Sequence, residues 1–151
     1  MVSGSADPRV IRSIAVTASD VVAAFEANRG GGHATVLRVT PPFSGMMRAR
    51  LHRAVNGDNN GGRGETPTPI EVDPSALFDA DLPTYPHPDE TEDALRADPD
   101  VNYTTERHHE RHRKAVRRWR ERARNHIAKA VEIQTPAGPQ SVDVTVLGGR
   151  G

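Results

Sequence analysis

The chain has 151 residues, with 20 basic and 20 acidic side chains and a formal net charge of zero. It contains no cysteine, which excludes disulfides, thiolate metal sites and thiol nucleophiles. No apolar run approaches the ~20 residues that span a bilayer, and the first residues lack a secretory signal pattern, so we expect a cytoplasmic protein. Large aliphatic side chains are scarce, which predicts a single domain with a modest core.

The N-terminal third is predicted to contain three strands and one helix, after a flexible N-terminus at 1–8. In chain order these are a strand over 9–17, where Val10-Ile11 could also begin a helix, a helix over 18–28, and strands over 34–40 and 46–54. Thr17 and Asp20 have the spacing of a capping box, which places the helix start between them. The last two strands are expected to pair as a hairpin. Alternation in the second predicts a buried face with Ala49 and Leu51.

The middle of the chain changes composition twice. Residues 56–69 are rich in Gly, Asn, Thr and Pro and are predicted to be a flexible loop. Two short elements follow, a strand at 70–72 and a helical turn at 74–78 that begins at Asp73. Residues 79–100 form an acidic, proline-rich segment, predicted to be extended at first and helical over 91–97.

A long helix is predicted from Thr104 to Ala130, capped by Thr104 or Thr105. Ten Lys or Arg stand against three Glu between 103 and 129, a balance of +7, whereas ten acids stand against one Arg between 71 and 102, a balance of −9. The neutral chain therefore contains two strong opposed charges. Beyond the helix the sequence predicts a hairpin of two strands, at 131–134 and 142–147, and a frayed tail at 148–151.

The long helix is amphipathic. At 100° per residue, one apolar stripe contains His108, His112, Val116, Trp119, Ala123, Ile127 and Ala130. One flank contains Arg113, Arg117, Arg120 and Arg124. These patterns predict an α+β fold: a small, mostly antiparallel sheet covered by the long helix, with the shorter N-terminal helix beside it.

The arginine flank has few partners within its own helix, so an external anion is expected to stabilise it. Three anions remain open: the chain's own 89–100 stretch, the phosphates of a nucleic acid, and the acidic surface of another protein. We favour a non-enzymatic interaction module in which Arg113, Arg117, Arg120 and Arg124 bind an anionic partner. The alternative is a self-neutralised domain, in which the chain's own acidic residues pair with these arginines. Such a domain would bind a protein partner elsewhere, for example through the Pro41–Gly45 turn.

The enzymatic alternative rests on two histidines. His108 and His112 are four residues apart on one helix face, a spacing that can chelate a metal ion, so a metal-dependent hydrolase is the second function class. The zinc-protease pattern His-Glu-x-x-His is not matched, because His109-Glu-Arg-His112 is one residue too short. Rim residues of the apolar stripe are the simpler interpretation of these histidines, and no cofactor is expected.

Three segments together resemble an uncharacterised family of small haloarchaeal proteins. They are Val36-Leu-Arg-Val-Thr-Pro-Pro-Phe-Ser-Gly45, the run from Ala97 to Arg107 that leads into the Trp119 helix, and Thr135-Pro-Ala-Gly-Pro139. The resemblance covers about Arg9 to Leu147. The family is a domain of unknown function, so the resemblance implies neither an activity nor site residues. The low lysine content, two Lys against 18 Arg, agrees with such a source.

Overall fold

A computed structural model describes residues 5–29, 35–53 and 68–148. The described residues form two compact units. The sheet unit contains those up to Asp79 together with those from Ile127 onward, and the helix unit is Ala80–His126. Most of the predicted loop at 56–69, the tail at 149–151 and the first four residues lie outside the described part of the chain.

The sheet unit contains one helix and two sheets. Its helix is α1 (Ala18–Arg29), and its strands are β1 (Ser13–Thr17), β2 (Thr35–Val39), β3 (Met46–Arg48), β4 (Arg50–Arg53), β5 (Ile70–Val72), β6 (Ala130–Thr135) and β7 (Gly138–Leu147). The first sheet is mixed, in the order β3-β1-β7-β6, and the second is antiparallel, in the order β4-β2-β5. The predicted α+β class is confirmed, although the strands form two sheets rather than one.

Several local predictions in the sheet unit are confirmed. The Thr17 hydroxyl accepts a hydrogen bond from the Asp20 amide at 3.1 Å, as expected for an N-cap. The 3-10 turn Pro74–Leu77 begins after Asp73, whose side chain accepts from the Ser75 amide. Strands β6 and β7 form the predicted antiparallel hairpin. Each of these features depends on neighbouring residues, which is why the sequence pattern was sufficient.

The predicted strand over 46–54 is wrong in its continuity. It breaks at Ala49, where β3 pairs in parallel with β1 while β4 pairs antiparallel with β2. The fully buried Ala49 donates its amide to the Ala15 carbonyl at 2.9 Å, so the chain changes sheets at this residue. Leu51, expected on a buried face, is 39% exposed. Only the β4 half of the predicted strand forms the expected hairpin with β2.

The helix unit contains two helices, α2 (Pro88–Ala97) and α3 (Thr105–Ala123). The predicted continuation of the long helix to Ala130 is wrong, because α3 is followed by a 3-10 turn, Arg124–His126. Further on, the Ala128 amide donates to the Leu77 carbonyl and the Lys129 carbonyl accepts from Val144. The helical spacing of apolar residues continues past Ala123 in the sequence. The backbone of Ala128 and Lys129 nevertheless pairs within the sheet unit and not within a helix.

The predicted covering of a sheet by α3 stays a prediction. Within the described ranges, no helix combines the length and apolar composition needed to cross a membrane.

The β6–β7 hairpin supplies a test of the backbone. Gly138 follows the turn Pro136–Ala137 with φ of +116°, a conformation that strains any L side chain. We expect Gly138→Ala to lower the free energy of unfolding by about 1–3 kcal/mol, measured by urea denaturation with far-UV circular dichroism. Gly45→Ala is the control, because a Cβ there meets no atom within 4 Å and its φ is not positive. Equal losses in the two variants would contradict this account.

Candidate anion-binding groove

Helix α3 begins at a regular cap and carries a strong positive charge. Thr104 is its N-cap, and the Thr104 hydroxyl accepts from the Arg107 amide at 3.0 Å. Its 19 residues contain eight Lys or Arg and three Glu. The predicted apolar stripe is recognisable, because Trp119 and Ala123 are buried while His108, His112 and Val116 are half-buried.

The Trp119 side chain binds the proline-rich segment to α3. Its indole N–H donates to the Pro83 carbonyl at 2.8 Å, and its ring packs edge-on against Tyr85 with centroids 4.7 Å apart. Trp119 is only 3% exposed. Residues 82–87 have no regular backbone pairing, and a proline has no amide donor, so such side-chain contacts are what can fix the segment.

Two histidines join α3 to the start of α2. His108 Nε2 lies 2.9 Å from the Pro88 carbonyl oxygen, and His112 Nδ1 lies 3.1 Å from the Thr91 hydroxyl. A carbonyl oxygen only accepts, so this contact requires the proton of His108 on Nε2. On α2 itself, His87 is the N-cap and accepts from the Asp89 amide. Helix α2 therefore starts three residues earlier than predicted, at Pro88.

A groove of about 720 Å³ lies along α3 in the helix unit. Its lining consists of Tyr85, Pro88, His108, His109, His112, Arg113, Val116, Arg117 and Arg120. No carboxylate is among these residues. From His108 to Arg120 the helix advances about 18 Å at 1.5 Å per residue, so the groove follows more than three helical turns. We call this surface the α3 groove.

Three of the four predicted anion-binding residues line the α3 groove. Arg113 and Arg117 are exposed, one helical turn apart, and form no ion pair within Ala80–His126. Arg120 also lines the groove, but its side chain already takes part in another interaction within the protein. The same is true of Arg124. Arg124 lies in the 3-10 turn after the helix and does not line the groove. Of the four predicted residues, Arg113 and Arg117 are therefore the two that line the groove without an ion pair in the helix unit.

The acidic segment forms one ion pair with α3, and this pair lies outside the groove. Asp98 forms an ion pair with Arg111 at 3.6 Å, and Arg111 does not line the groove. Glu92 pairs at 2.9 Å with Arg96, which belongs to its own helix. The Arg96 guanidinium also lies 3.9 Å from the centre of the Tyr103 ring. These contacts agree with partial self-neutralisation, and neither of them involves Arg113 or Arg117.

The predicted metal pair is only partly assembled. The rings of His108 and His112 have centroids 6.4 Å apart, and Nε2 of His108 already faces the Pro88 carbonyl. Among residues 5–29, 35–53 and 68–148, no group of three His, Asp or Glu is placed to hold a metal ion. The two imidazoles are instead brought together as contacts of α3 with the start of α2.

Sequence reasoning missed four groove residues, Tyr85, Pro88, His109 and Val116, the last of which was predicted only as part of the apolar stripe. His109 falls at the edge of the apolar stripe on the helical wheel, at the same angle as Ile127, so its position carried a weak signal. Tyr85 and Pro88 belong to a segment without periodicity. Pro88 meets His108 of α3, and the approach of Tyr85 to α3 depends on its tertiary contact with Trp119. No spacing in the sequence could have shown that contact.

Residues 1–148 match the family described as a domain of unknown function, DUF8009. The chain belongs to this family. The comparison with curated proteins found no match, and neither did the comparison with solved structures. The expected membership of a family of unknown function is confirmed.

The environment of the His112 imidazole lowers its pKa. Burial lowers this pKa from its ordinary value of 6.5, and the positive charges of His108 and His87 lower it further. The unfolded chain therefore binds a proton at His112 at a higher pH than the folded chain. The contribution of His112 to the free energy of unfolding is therefore fully present above about pH 6.5. It is lost progressively as the pH falls from 6.5 toward the lower pKa of the folded state.

We expect His112→Gln to weaken this pH dependence in the DUF8009 chain. The measurement is the free energy of urea unfolding at a series of pH values on both sides of 6.5. The matched control is His109→Gln, because His109 is also an imidazole of α3 but is exposed, whereas His112 is half-buried. An unchanged slope in His112→Gln, or an equal change in both variants, would contradict the assignment.

Proposed function

We propose that this chain is a non-enzymatic binding module whose α3 groove docks an anionic partner, with a nucleic-acid backbone as the favoured class. The observation that carries the proposal is the pair Arg113 and Arg117, both groove-lining, exposed and without an ion pair within Ala80–His126. An arginine fork matches the oxygens of a phosphate with two parallel hydrogen bonds.

The composition of the groove supports an anion rather than a cation. None of its nine lining residues is Asp or Glu, so no carboxylate in the lining repels a phosphate. Concave surfaces lined by one sign of charge concentrate ligands of the opposite sign. The exposed imidazole of His109 offers a further N–H donor beside the arginines, whereas the N–H of His108 is already bound to the Pro88 carbonyl.

The remaining function classes of the sequence stay proposals of lower rank. A self-neutralised domain is supported by the Asp98–Arg111 ion pair, which does not occupy the groove. A metal-dependent hydrolase would rest on His108 and His112, which share the groove. An acidic protein remains an alternative partner for Arg113 and Arg117, and its carboxylates would meet the same two forks.

We also propose a haloarchaeal source and a cytoplasmic location. The similarity of residues 36–45, 97–107 and 135–139 to haloarchaeal sequences supports the source. The composition of 18 Arg and two Lys points the same way, while the zero net charge departs from the acidic balance usual in such proteins. The absence of cysteine agrees with an intracellular location.

The proposal is tested with a double variant, Arg113→Gln with Arg117→Gln. We expect binding of a fluorescently labelled oligonucleotide at low salt to weaken on the order of tenfold or more. The slope of log affinity against log salt should fall by about 1–2, because two phosphate contacts are lost. Fluorescence anisotropy at several salt concentrations provides both numbers.

The matched control removes the same charge from the same helix. Arg118 and Arg122 are exposed on α3 and do not line the groove. We expect Arg118→Gln with Arg122→Gln to bind nearly as the wild type does. Wild-type protein that binds no anionic polymer at low salt would overturn the proposal, and equal losses in the two double variants would remove the groove from it.

A further inference from the structure

The α3 groove combines an aromatic ring with its two available arginines. Tyr85 is half-buried and lines the groove together with Arg113 and Arg117. The apolar side chain of Val116 lies on the same surface. A site built only for point anions needs no aromatic group, whereas nucleotides present both a phosphate and a flat base.

We propose that the anionic partner is a single-stranded nucleic acid, with one base stacked on Tyr85 and its phosphates bound by Arg113 and Arg117. This inference rests on the proposed function and adds the class of ligand. A duplex keeps its bases stacked inside and presents a convex backbone, so it has no free base to offer to a ring inside a groove.

The dimensions of the groove fit a short strand. Its volume, about 720 Å³, lies within the range of about 300–1,000 Å³ that holds compact ligands. Along α3 it extends about 18 Å, and a stacked strand advances about 3.4 Å per phosphate, so about five phosphates of a bound strand can follow its length. Arg113 and Arg117 are about 6 Å apart along the helix axis, so they can reach different phosphates.

The Tyr85 ring is already positioned before any ligand binds. It packs against Trp119 at 4.7 Å with an interplanar angle of 62°, and Trp119 is itself held by the Pro83 carbonyl. Pro86 follows Tyr85 directly and restricts its backbone. Stacking therefore costs little additional ordering of the protein. Because every base has a π-face, such a site would accept different sequences.

The first experiment changes the ligand and leaves the protein unaltered. Wild-type protein is titrated at low salt with a labelled oligothymidylate of about ten nucleotides, long enough to fill the groove. An abasic oligomer with the same number of phosphates, a duplex and inorganic polyphosphate are the comparison probes. We expect the abasic oligomer and polyphosphate to bind about tenfold more weakly than the oligothymidylate, and the duplex to bind more weakly as well.

The second experiment changes the ring. Tyr85→Phe should retain affinity for the oligothymidylate, and Tyr85→Leu should lose about tenfold while its affinity for polyphosphate stays unchanged. Tyr103→Leu is the matched control, since Tyr103 is a half-buried tyrosine of the helix unit that does not line the groove. If Tyr85→Leu fails to fold, the ligand series with wild-type protein still decides the question.

The outcomes separate the two proposals. Equal affinity for the base-bearing and abasic oligomers overturns the single-strand inference and leaves anion docking in place. Tighter binding of the duplex also overturns it, and so does a base preference that survives in Tyr85→Leu. Failure of every one of these anions to bind overturns the proposed function itself.

Discussion

The arrangement of the helix unit depends on one side chain, the indole of Trp119. Its N–H binds the Pro83 carbonyl and its ring supports Tyr85, so a segment without regular backbone pairing is fixed against α3. The contact also explains why an arginine-rich helix has a groove at all. A solvated helix with this charge would present a convex surface, whereas Tyr85 and Pro88 provide the additional lining.

The charges of the helix unit are balanced in number, but at the groove they are separated, because arginines line it and carboxylates do not. Ala80–His126 contains ten acidic and ten basic residues, so the unit has no net charge. The carboxylates of Glu92 and Asp98 pair with arginines outside the groove, and the groove lining contains none. This separation forms the basis of our anion-docking proposal, because net charge alone would predict no attraction.

Features set by neighbouring residues were predictable from the sequence, and features set by distant contacts were not. The caps at Thr17 and Thr104 follow from the chemistry of hydroxyl groups at helix starts, and the β6–β7 hairpin follows from alternation around a proline–glycine turn. The sequence also placed Trp119 on the buried side of its helix. It could not show the break at Ala49 or the membership of Tyr85 in the groove, because both depend on partners far along the chain.

Hydrogen exchange of the Trp119 indole N–H tests the central claim most directly. Trp119 is the only tryptophan of the chain, so its indole gives a single signal in a ¹H–¹⁵N correlation spectrum. If the indole is buried and bound to the Pro83 carbonyl, this proton will exchange with solvent far more slowly than that of a free indole. Exchange at the rate of a free indole would show that the proline-rich segment is not held on α3, and the groove would lose its physical basis.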